Sequence, residues 1–305
     1  MHSHKPVNLK SARNILISVF LNAVIVIGEL TAGILSNSLA LISDAMHNLS
    51  DLFSLILSYI AAKMKFWKAT PEKSYGYRRT EIIVAFVNST VLIIIGVYII
   101  YEAISRIVTP EPVKGFWIIA VAGISFLANG ISTLLLKQNA HEDLNTKTAY
   151  LHLFYDTLNS LIVVIAGTFI YFYNWIILDP IFSIVIGIFI IISGWNVAKD
   201  TINILSEGTP KELDSSEVTQ FILSLPEVKS VHHLHIWSLS TNFYALSAHV
   251  VVDDQLISKG YLIIDRIEKS LNEKFGINHP TIQLEAELSD SKGKTLKILK
   301  NNFNN

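Results

Sequence analysis

The sequence contains no cysteine and few charged residues. Of its 305 residues, 16% are charged and 51% are hydrophobic. Without cysteine there can be no disulfide bonds or thiolate metal ligands, so any metal must be bound through nitrogen and oxygen. The net charge of −1 provides no basic surplus for a nucleic-acid partner, whose phosphates require clustered Lys and Arg. A chain this apolar is typical of a protein whose surroundings are a lipid bilayer.

The beginning of the chain also lacks a secretory signal. The first thirteen residues contain no apolar core that ends at a small-residue cleavage site. We interpret 1–13 as a cytoplasmic N-terminal segment.

Six hydrophobic stretches are each long enough for a membrane-spanning helix, which needs about 20 residues. Lys and Arg concentrate in alternate loops: eleven lie on the side of the N-terminus and two on the opposite side. The positive-inside rule therefore predicts that both termini are cytoplasmic. We predict a six-helix transmembrane domain over 14–204, with spans at 14–35, 39–62, 82–105, 115–136, 148–173 and 175–197.

Beyond about residue 204 the hydrophobic pattern becomes that of a soluble domain. Residues 211–225 and 256–276 have helical spacing, whereas the segments VHHLHIWSL, FYALSAHVVV and TIQLEAE alternate like half-buried strands. The order α-β-β-α-β predicts a small cytoplasmic α+β domain over 205–290, with helices on one face of a sheet. The polar residues 291–305 are predicted to form a flexible tail.

Two of the predicted spans contain a histidine that is followed four residues later by an aspartate. These pairs are His47 with Asp51 in the second span and His152 with Asp156 in the fifth. Residues four apart project from one face of a helix, and charged groups cost about 2.5–3.5 kcal/mol at the bilayer centre. Two imidazoles and two carboxylates suit tetrahedral zinc. We therefore predict a metal site; the alternative is that the pairs only hydrogen-bond between helices. Asp44, one turn before His47, is interpreted as a residue at the mouth of the site or a helix-end partner.

The charges of this group indicate an exchange of metal for protons. Two carboxylates neutralise one divalent cation, whereas the empty site loses its charge by binding protons. A membrane metalloenzyme is one alternative, but a catalytic metal keeps an open position, four protein ligands leave none, and HExxH is absent. A metal-responsive receptor is another, although six spans with paired ligands exceed what an anchor needs. We predict no catalytic residues and no enzyme activity.

Five segments of the chain resemble the motifs of a known family and follow one another in the family's order, so that the resemblance extends from about residue 14 to 287. The segments are SLALISDAMHNLSD, SYGYRRTEIIVAFVN, HLFYDTLNS, DPIFSIVIG and VHHLHIWSLS. They resemble signatures of the cation diffusion facilitator family of divalent-metal transporters. The resemblance implies a homodimer that exports metal by alternating access in exchange for protons, with a metallochaperone-like, ferredoxin-like cytoplasmic domain. It also implies that the transport ligands are His47, Asp51, His152 and Asp156.

The same resemblance bears on the choice of metal and on the location. Zn²⁺ is the expected substrate because two imidazoles favour it, while Cd²⁺, Co²⁺ and Ni²⁺ suit the same ligands. No cofactor is expected. Zn²⁺ is expected as the transported substrate and as a regulatory ligand. The short segment KQNAHEDLNTK, where many animal members have a histidine-rich loop, resembles bacterial members and implies the bacterial inner membrane. The loop AAKMKFWKATPEKSYGYRR has no His or Asp, so we predict no metal there.

Finally, the resemblance implies a metal site in the cytoplasmic domain. His232, His249 and Glu285 occupy the family's ligand positions, whereas Gln283 stands where some members have histidine. Strand alternation predicts that His232 faces away from His233, His235 and Trp237. The hypothesis is that cytosolic metal bridges two soluble domains and biases the transporter's conformation.

Overall fold

The computed structural model describes residues 9–64, 67–137 and 144–286, and it leaves undescribed the side chains of 9–21, 55, 58, 59, 62, 135, 136, 144–149 and 152. Six long helices come first, as predicted, followed by the smaller domain. The sixth helix runs eight residues beyond its predicted span. The helices are α1 (Leu9–Ser36), α2 (Leu39–Met64), α3 (Thr80–Val108), α4 (Gly115–Lys137), α5 (Leu144–Tyr173) and α6 (Leu178–Leu205).

Among the described residues, four helical segments are long and apolar enough to cross a membrane by length and composition. They are Thr80–Val108, Gly115–Leu134, Leu153–Tyr173 and Leu178–Leu205. In α1 the described apolar stretch is the shorter Asn22–Ser36. α2 carries polar groups that lower its hydropathy, among them Asp44 and Asp51.

The long helices expose large apolar side chains on their outer faces, as lipid-facing helices do. Ile94, Tyr101 and Leu134 are each more than 60% exposed. The inner faces form a separate core that includes Leu41, Ile118, Val163 and Ile186. This arrangement fits a bundle whose exterior contacts hydrocarbon.

α4 and α5 approach so closely that their backbones touch. A Cβ atom at Gly115 would lie 2.8 Å from the carbonyl oxygen of Gly167 and 2.7 Å from the amide nitrogen of Tyr171. A Cβ at Gly167 would lie 2.8 Å from a side-chain carbon of Ile118. Both positions therefore require glycine, which is typical of close helix packing in membranes.

The C-terminal elements confirm the predicted order α-β-β-α-β. In the sheet, β1 pairs antiparallel with β2, and β2 pairs parallel with β3. The elements are α7 (Ser215–Leu223), β1 (Ser230–Ser240), β2 (Phe243–Val252), α8 (Ile257–Phe275) and β3 (Ile277–Ala286).

The helices of this domain bury their apolar faces against the sheet. Asp214 caps α7 by accepting from the amide of Ser216 at 2.7 Å, and Gly276 ends α8 in the left-handed conformation. The shared core includes Val218, Ile222, Ile236, Leu246, Val250, Ile263, Ile267 and Leu271. Alternate residues of β2 enter this core, so His249 points to the other face of the sheet.

The strand alternation predicted for β1 is wrong at His232. His232 pairs with His249 and His235 pairs with Ser247, so β1 holds one more residue than β2 between these pairs. His233 sits in this β-bulge with a φ of 48°. Because an extra residue reverses the alternation, the rings of His232 and His233 lie on the same face, whereas Leu234 packs against the core.

The chain divides into two compact units. One contains the described residues up to Ile60 together with Val87–Ala198, and the other contains Ala61–Phe86 together with the described residues from Lys199 onwards. Each candidate site below lies within one unit.

Candidate metal centres

The first candidate site joins α2 and α5. His47 Nε2 lies 3.6 Å from Asp51 Oδ2 and 3.6 Å from Asp156 Oδ1. The three ligand atoms all lie within 4.8 Å of one another. Tetrahedral ligands around zinc, at about 2.0–2.1 Å from the ion, are about 3.3 Å apart. The group is therefore close to the size that a zinc ion needs.

Helical geometry explains how these side chains meet. His47 and Asp51 are one turn apart in α2, and Asp156 belongs to α5. Their side chains are only 16%, 23% and 8% exposed. The backbone of His152 lies one turn before Asp156 in α5, while its side chain lies outside the described part of the chain. The structure thus brings together three of the four predicted ligands.

Two further acidic residues are buried beside this group. Asp44, one turn before His47, accepts a hydrogen bond from the Ser160 hydroxyl of α5 at 3.3 Å. Glu29 of α1 accepts one from the Asn48 amide at 3.0 Å. From the sequence, Asp44 was placed at the mouth of the site or at a helix end, outside the predicted ligands. The signal in the sequence was an acidic residue within an apolar stretch. That signal marks the residue as unusual but does not identify its partner on another helix.

The first turn of α2 is fixed by a residue 140 positions further along the chain. The carboxylate of Asp179 accepts from the amide of Leu39 at 2.7 Å and from the hydroxyl of Ser38 at 2.5 Å. It also accepts from the amide of Ala40 at 3.3 Å. The two amides are among the backbone donors that a helix N-terminus leaves unsatisfied. Asp179 on α6 therefore positions the helix that carries His47 and Asp51.

The second candidate site lies on the outer face of the small sheet. His249 Nδ1 lies 2.7 Å from Glu285 Oε1, and His232 Nε2 lies 3.2 Å from Glu285 Oε2. The predicted set of His232, His249 and Glu285 therefore comes together, with ligand atoms within 4.8 Å of one another. The nitrogen of His232 that faces Glu285 is Nε2, whereas its Nδ1 is buried and has no hydrogen-bond partner among the described residues.

The protonation of His232 also suits metal binding. Burial lowers the pKa of His232 below its ordinary value of 6.5, and the nearby imidazoles of His249 and His233 lower this pKa further. The carboxylate of Glu285 acts in the opposite direction without cancelling these effects. A neutral imidazole is the form that binds metals, so His232 needs to lose no proton at neutral pH.

Two family models match nearly the whole chain. A model described as the cation efflux transmembrane domain matches residues 15–206, and one described as the cytoplasmic domain of cation efflux proteins matches residues 210–287.

Similar proteins point the same way. The chain is 41% identical over 276 residues to the cadmium, cobalt and zinc/H(+)-K(+) antiporter of Bacillus subtilis, covering 90% of this chain and 88% of that protein. It is 35% identical over 289 residues to the zinc transporter ZitB of Escherichia coli, covering 93% and 91%. It is 34% identical over 284 residues to the metal cation efflux system protein CzcD of Cupriavidus metallidurans, covering 93% and 89%.

The chain is also similar to a solved structure described as the metal-bound C-terminal domain of the CzcD transporter from the same organism. The sequence identity is 40%, and the match covers 24% of this chain and 99% of that chain, with a TM-score of 0.22. The two family models and the relatives together establish what kind of protein this is. The chain belongs to the cation efflux family, also known as the cation diffusion facilitators, whose members are multi-pass membrane transporters of divalent metal cations and not enzymes.

Proposed function

We propose that this efflux transporter exports Zn²⁺ from the cytoplasm in exchange for protons, by alternating access. The proposed transport ligands are His47, Asp51, His152 and Asp156. The observation that carries the proposal is the meeting of His47, Asp51 and Asp156 between two helices, with their ligand atoms within 4.8 Å.

Charge balance supports proton exchange. A divalent ion neutralises Asp51 and Asp156, so the loaded site is stable in a medium of low dielectric constant. When the ion leaves, each of the two carboxylates lies 3.6 Å from His47, and bound protons must replace the metal's charge. Glu29 and Asp44 add buried acidic groups nearby, which strengthens the requirement for protons.

The ligand types favour zinc. Imidazole nitrogen and carboxylate oxygen in a four-ligand set suit Zn²⁺, whereas sites for harder ions use oxygen alone. Similar relatives are described as carriers of cadmium, cobalt and zinc, and as zinc transporters. Cd²⁺, Co²⁺ and Ni²⁺ are therefore the competing substrates to test.

The test is uptake of metal by proteoliposomes that contain the purified chain and a zinc-sensitive dye. An imposed pH gradient should drive zinc movement, and zinc movement should in turn change the internal pH. Asp51→Ala and Asp156→Ala should abolish both signals. Asp200→Ala, an exposed aspartate near the end of α6, is the matched control and should transport normally. Zinc flux that persists in correctly inserted Asp51→Ala protein contradicts the proposed site, and flux without any proton movement contradicts the exchange.

We also propose that the chain is a homodimer in the bacterial inner membrane, with both termini in the cytoplasm. The loop distribution of Lys and Arg supports this orientation. The same proposal includes the division of the chain after residues 13, 204 and 290 into an N-terminal segment, a transmembrane domain, a cytoplasmic α+β domain and a tail. Labelling of single cysteines introduced near each terminus tests the orientation, because the natural chain has no cysteine.

The cytoplasmic site is proposed as a regulatory zinc site. Its two histidines and one glutamate supply the type of donor that zinc takes in proteins. Zinc that binds there better in one conformation than in another would shift the transporter toward that conformation. His232→Ala with His249→Ala should weaken zinc binding to the full chain in calorimetry, and unchanged binding contradicts the proposal.

A further inference from the structure

The cytoplasmic site is one ligand short. His232, His249 and Glu285 supply two nitrogens and one carboxylate oxygen, whereas closed zinc sites in proteins are four-coordinate. The residue opposite His249 on β3 is Gln283, and its Nε2 donates to Glu285 Oε1 at 3.1 Å. Gln283 therefore orients the glutamate carboxylate, and the fourth ligand must come from another residue.

The β-bulge in β1 brings another imidazole to this group. The ring centroid of His233 lies 5.3 Å from that of His232 and 5.1 Å from that of His249. The rings of His232 and His249 are themselves 5.2 Å apart. Three imidazoles thus form a compact triangle on the face of the sheet where Glu285 also lies.

The backbone of His233 has an uncommon conformation. Its φ of 48° lies in the left-handed region, which is uncommon for residues other than glycine, although histidine occurs there more often than most. Glycine would adopt this conformation without strain, and asparagine with less strain than most residues. The bulge alone does not require an imidazole. Strained residues of this kind cluster at binding sites, where the position of the side chain offsets the strain.

We propose that His233 is the fourth protein ligand of the cytoplasmic zinc site. It completes a set of three imidazoles and one carboxylate, and it replaces the imidazole that is missing at position 283. The side chain of His233 is exposed, so its ring can turn toward the ion without disturbing the packed core. This inference rests on the cytoplasmic site proposed above and is independent of the transport site.

The test uses the full chain in detergent, with Asp51→Ala and Asp156→Ala so that the transport site does not contribute. Zinc affinity is measured by competition with a chromophoric chelator, and Co²⁺ serves as a probe whose visible absorption reports the number and type of ligands. His233→Asn tolerates the left-handed backbone but lacks the imidazole. We expect it to lower zinc affinity about tenfold or more, and to weaken and shift the cobalt absorption.

His235→Asn is the matched control, because it removes an exposed imidazole two residues away in the same strand. It should keep the parental affinity and spectrum. In thermal denaturation without metal, His233→Asn should melt at a temperature equal to or above that of the parent. Such a result would show that its weaker zinc binding does not come from unfolding.

Parental zinc affinity and an unchanged cobalt spectrum in His233→Asn overturn the inference. A further variant, His249→Ala in the same background, then identifies what has failed. If His249→Ala loses zinc binding while His233→Asn retains it, only the assignment of His233 is wrong. If both retain it, the proposed cytoplasmic site is wrong as well.

Discussion

The imidazole of His47 in α2 lies 3.6 Å from a carboxylate oxygen of Asp51 in its own helix and 3.6 Å from one of Asp156 in α5. A single side chain thus links the acidic groups of two helices. In the absence of a divalent ion, a proton on His47 can hold the three groups together. In the proposed exchange, the same three groups become ligands when the ion binds, so metal and protons compete for one set of atoms.

Exchanging the ligand type at position 47 should change the choice of metal. His47→Asp replaces nitrogen by oxygen, and oxygen ligands suit Mn²⁺ better than zinc. We expect zinc uptake into proteoliposomes to fall about tenfold or more, while manganese becomes a better competitor. His279→Asp, at an exposed position of β3, should leave both unchanged. Parental zinc uptake in His47→Asp, with no gain in competition by manganese, contradicts this prediction.

The Asn48–Glu29 hydrogen bond should behave as a coupled buried pair. Asn48→Leu leaves the carboxylate of Glu29 without its 3.0 Å donor, and an unsatisfied buried group costs about 1–3 kcal/mol. We expect the single variant to melt at a lower temperature in detergent than the double variant with Glu29→Leu, since the double variant removes the donor and the acceptor of this bond together. Additive losses in the double-mutant cycle would show that the two residues do not interact.

Removing the Asp179 carboxylate should loosen the start of α2. Asp179→Ala leaves the amides of Leu39 and Ala40 without their buried acceptor, at a cost of about 1–3 kcal/mol for each buried donor left unsatisfied. Asp179→Asn keeps one carbonyl acceptor and should lose less. The measurements are thermal denaturation in detergent and hydrogen exchange at the first turn of α2. Unchanged exchange at Leu39 in Asp179→Ala would contradict the assigned role.

The lowered pKa of His232 predicts a pH dependence of stability for the metal-free protein. Burial is its main cause, and His249 and His233 contribute. The folded protein binds fewer protons than the unfolded chain in the window just below 6.5, so stability is fully present above 6.5 and falls as the pH drops through that window.

Denaturation of the parent and of His232→Gln checks this pH dependence. The parent should lose more stability than His232→Gln between about pH 7.5 and about pH 5.5, because glutamine does not titrate. The NMR titration of the His232 ring should have its midpoint below the ordinary value of 6.5. Equal losses in the two proteins would mean that His232 does not couple to folding.

Most of the fold could be predicted from the sequence because its signals are local. Continuous apolar runs mark the six long helices, and a change of hydrophobic period marks the α-β-β-α-β domain. The spacing of His47 and Asp51 likewise follows from one helical turn. Each of these features depends on residues that are close together in the chain.

The features that the sequence did not predict depend on long-range contacts or on backbone conformation. The hydrophobic periodicity of the sequence reports neither of these. The sequence marks Asp179 as polar, but the first turn of α2 that it caps lies 140 positions away. The β-bulge at His233 shifts the alternation of the strand by one residue. A glycine in the sequence can indicate a left-handed backbone, but a histidine does not. As a result His232 was assigned to the wrong face, although its partnership with His249 and Glu285 was expected from the family resemblance.

The contact between Gly115 and Gly167 limits how the transporter can move. Because a Cβ at either position would collide with the opposite helix, α4 and α5 are joined backbone to backbone over this region. α5 cannot tilt or slide there without taking α4 with it. Under the proposed alternating access, the pocket would open by displacement of the joined pair against α2, and the His47–Asp156 separation would measure how far it has opened.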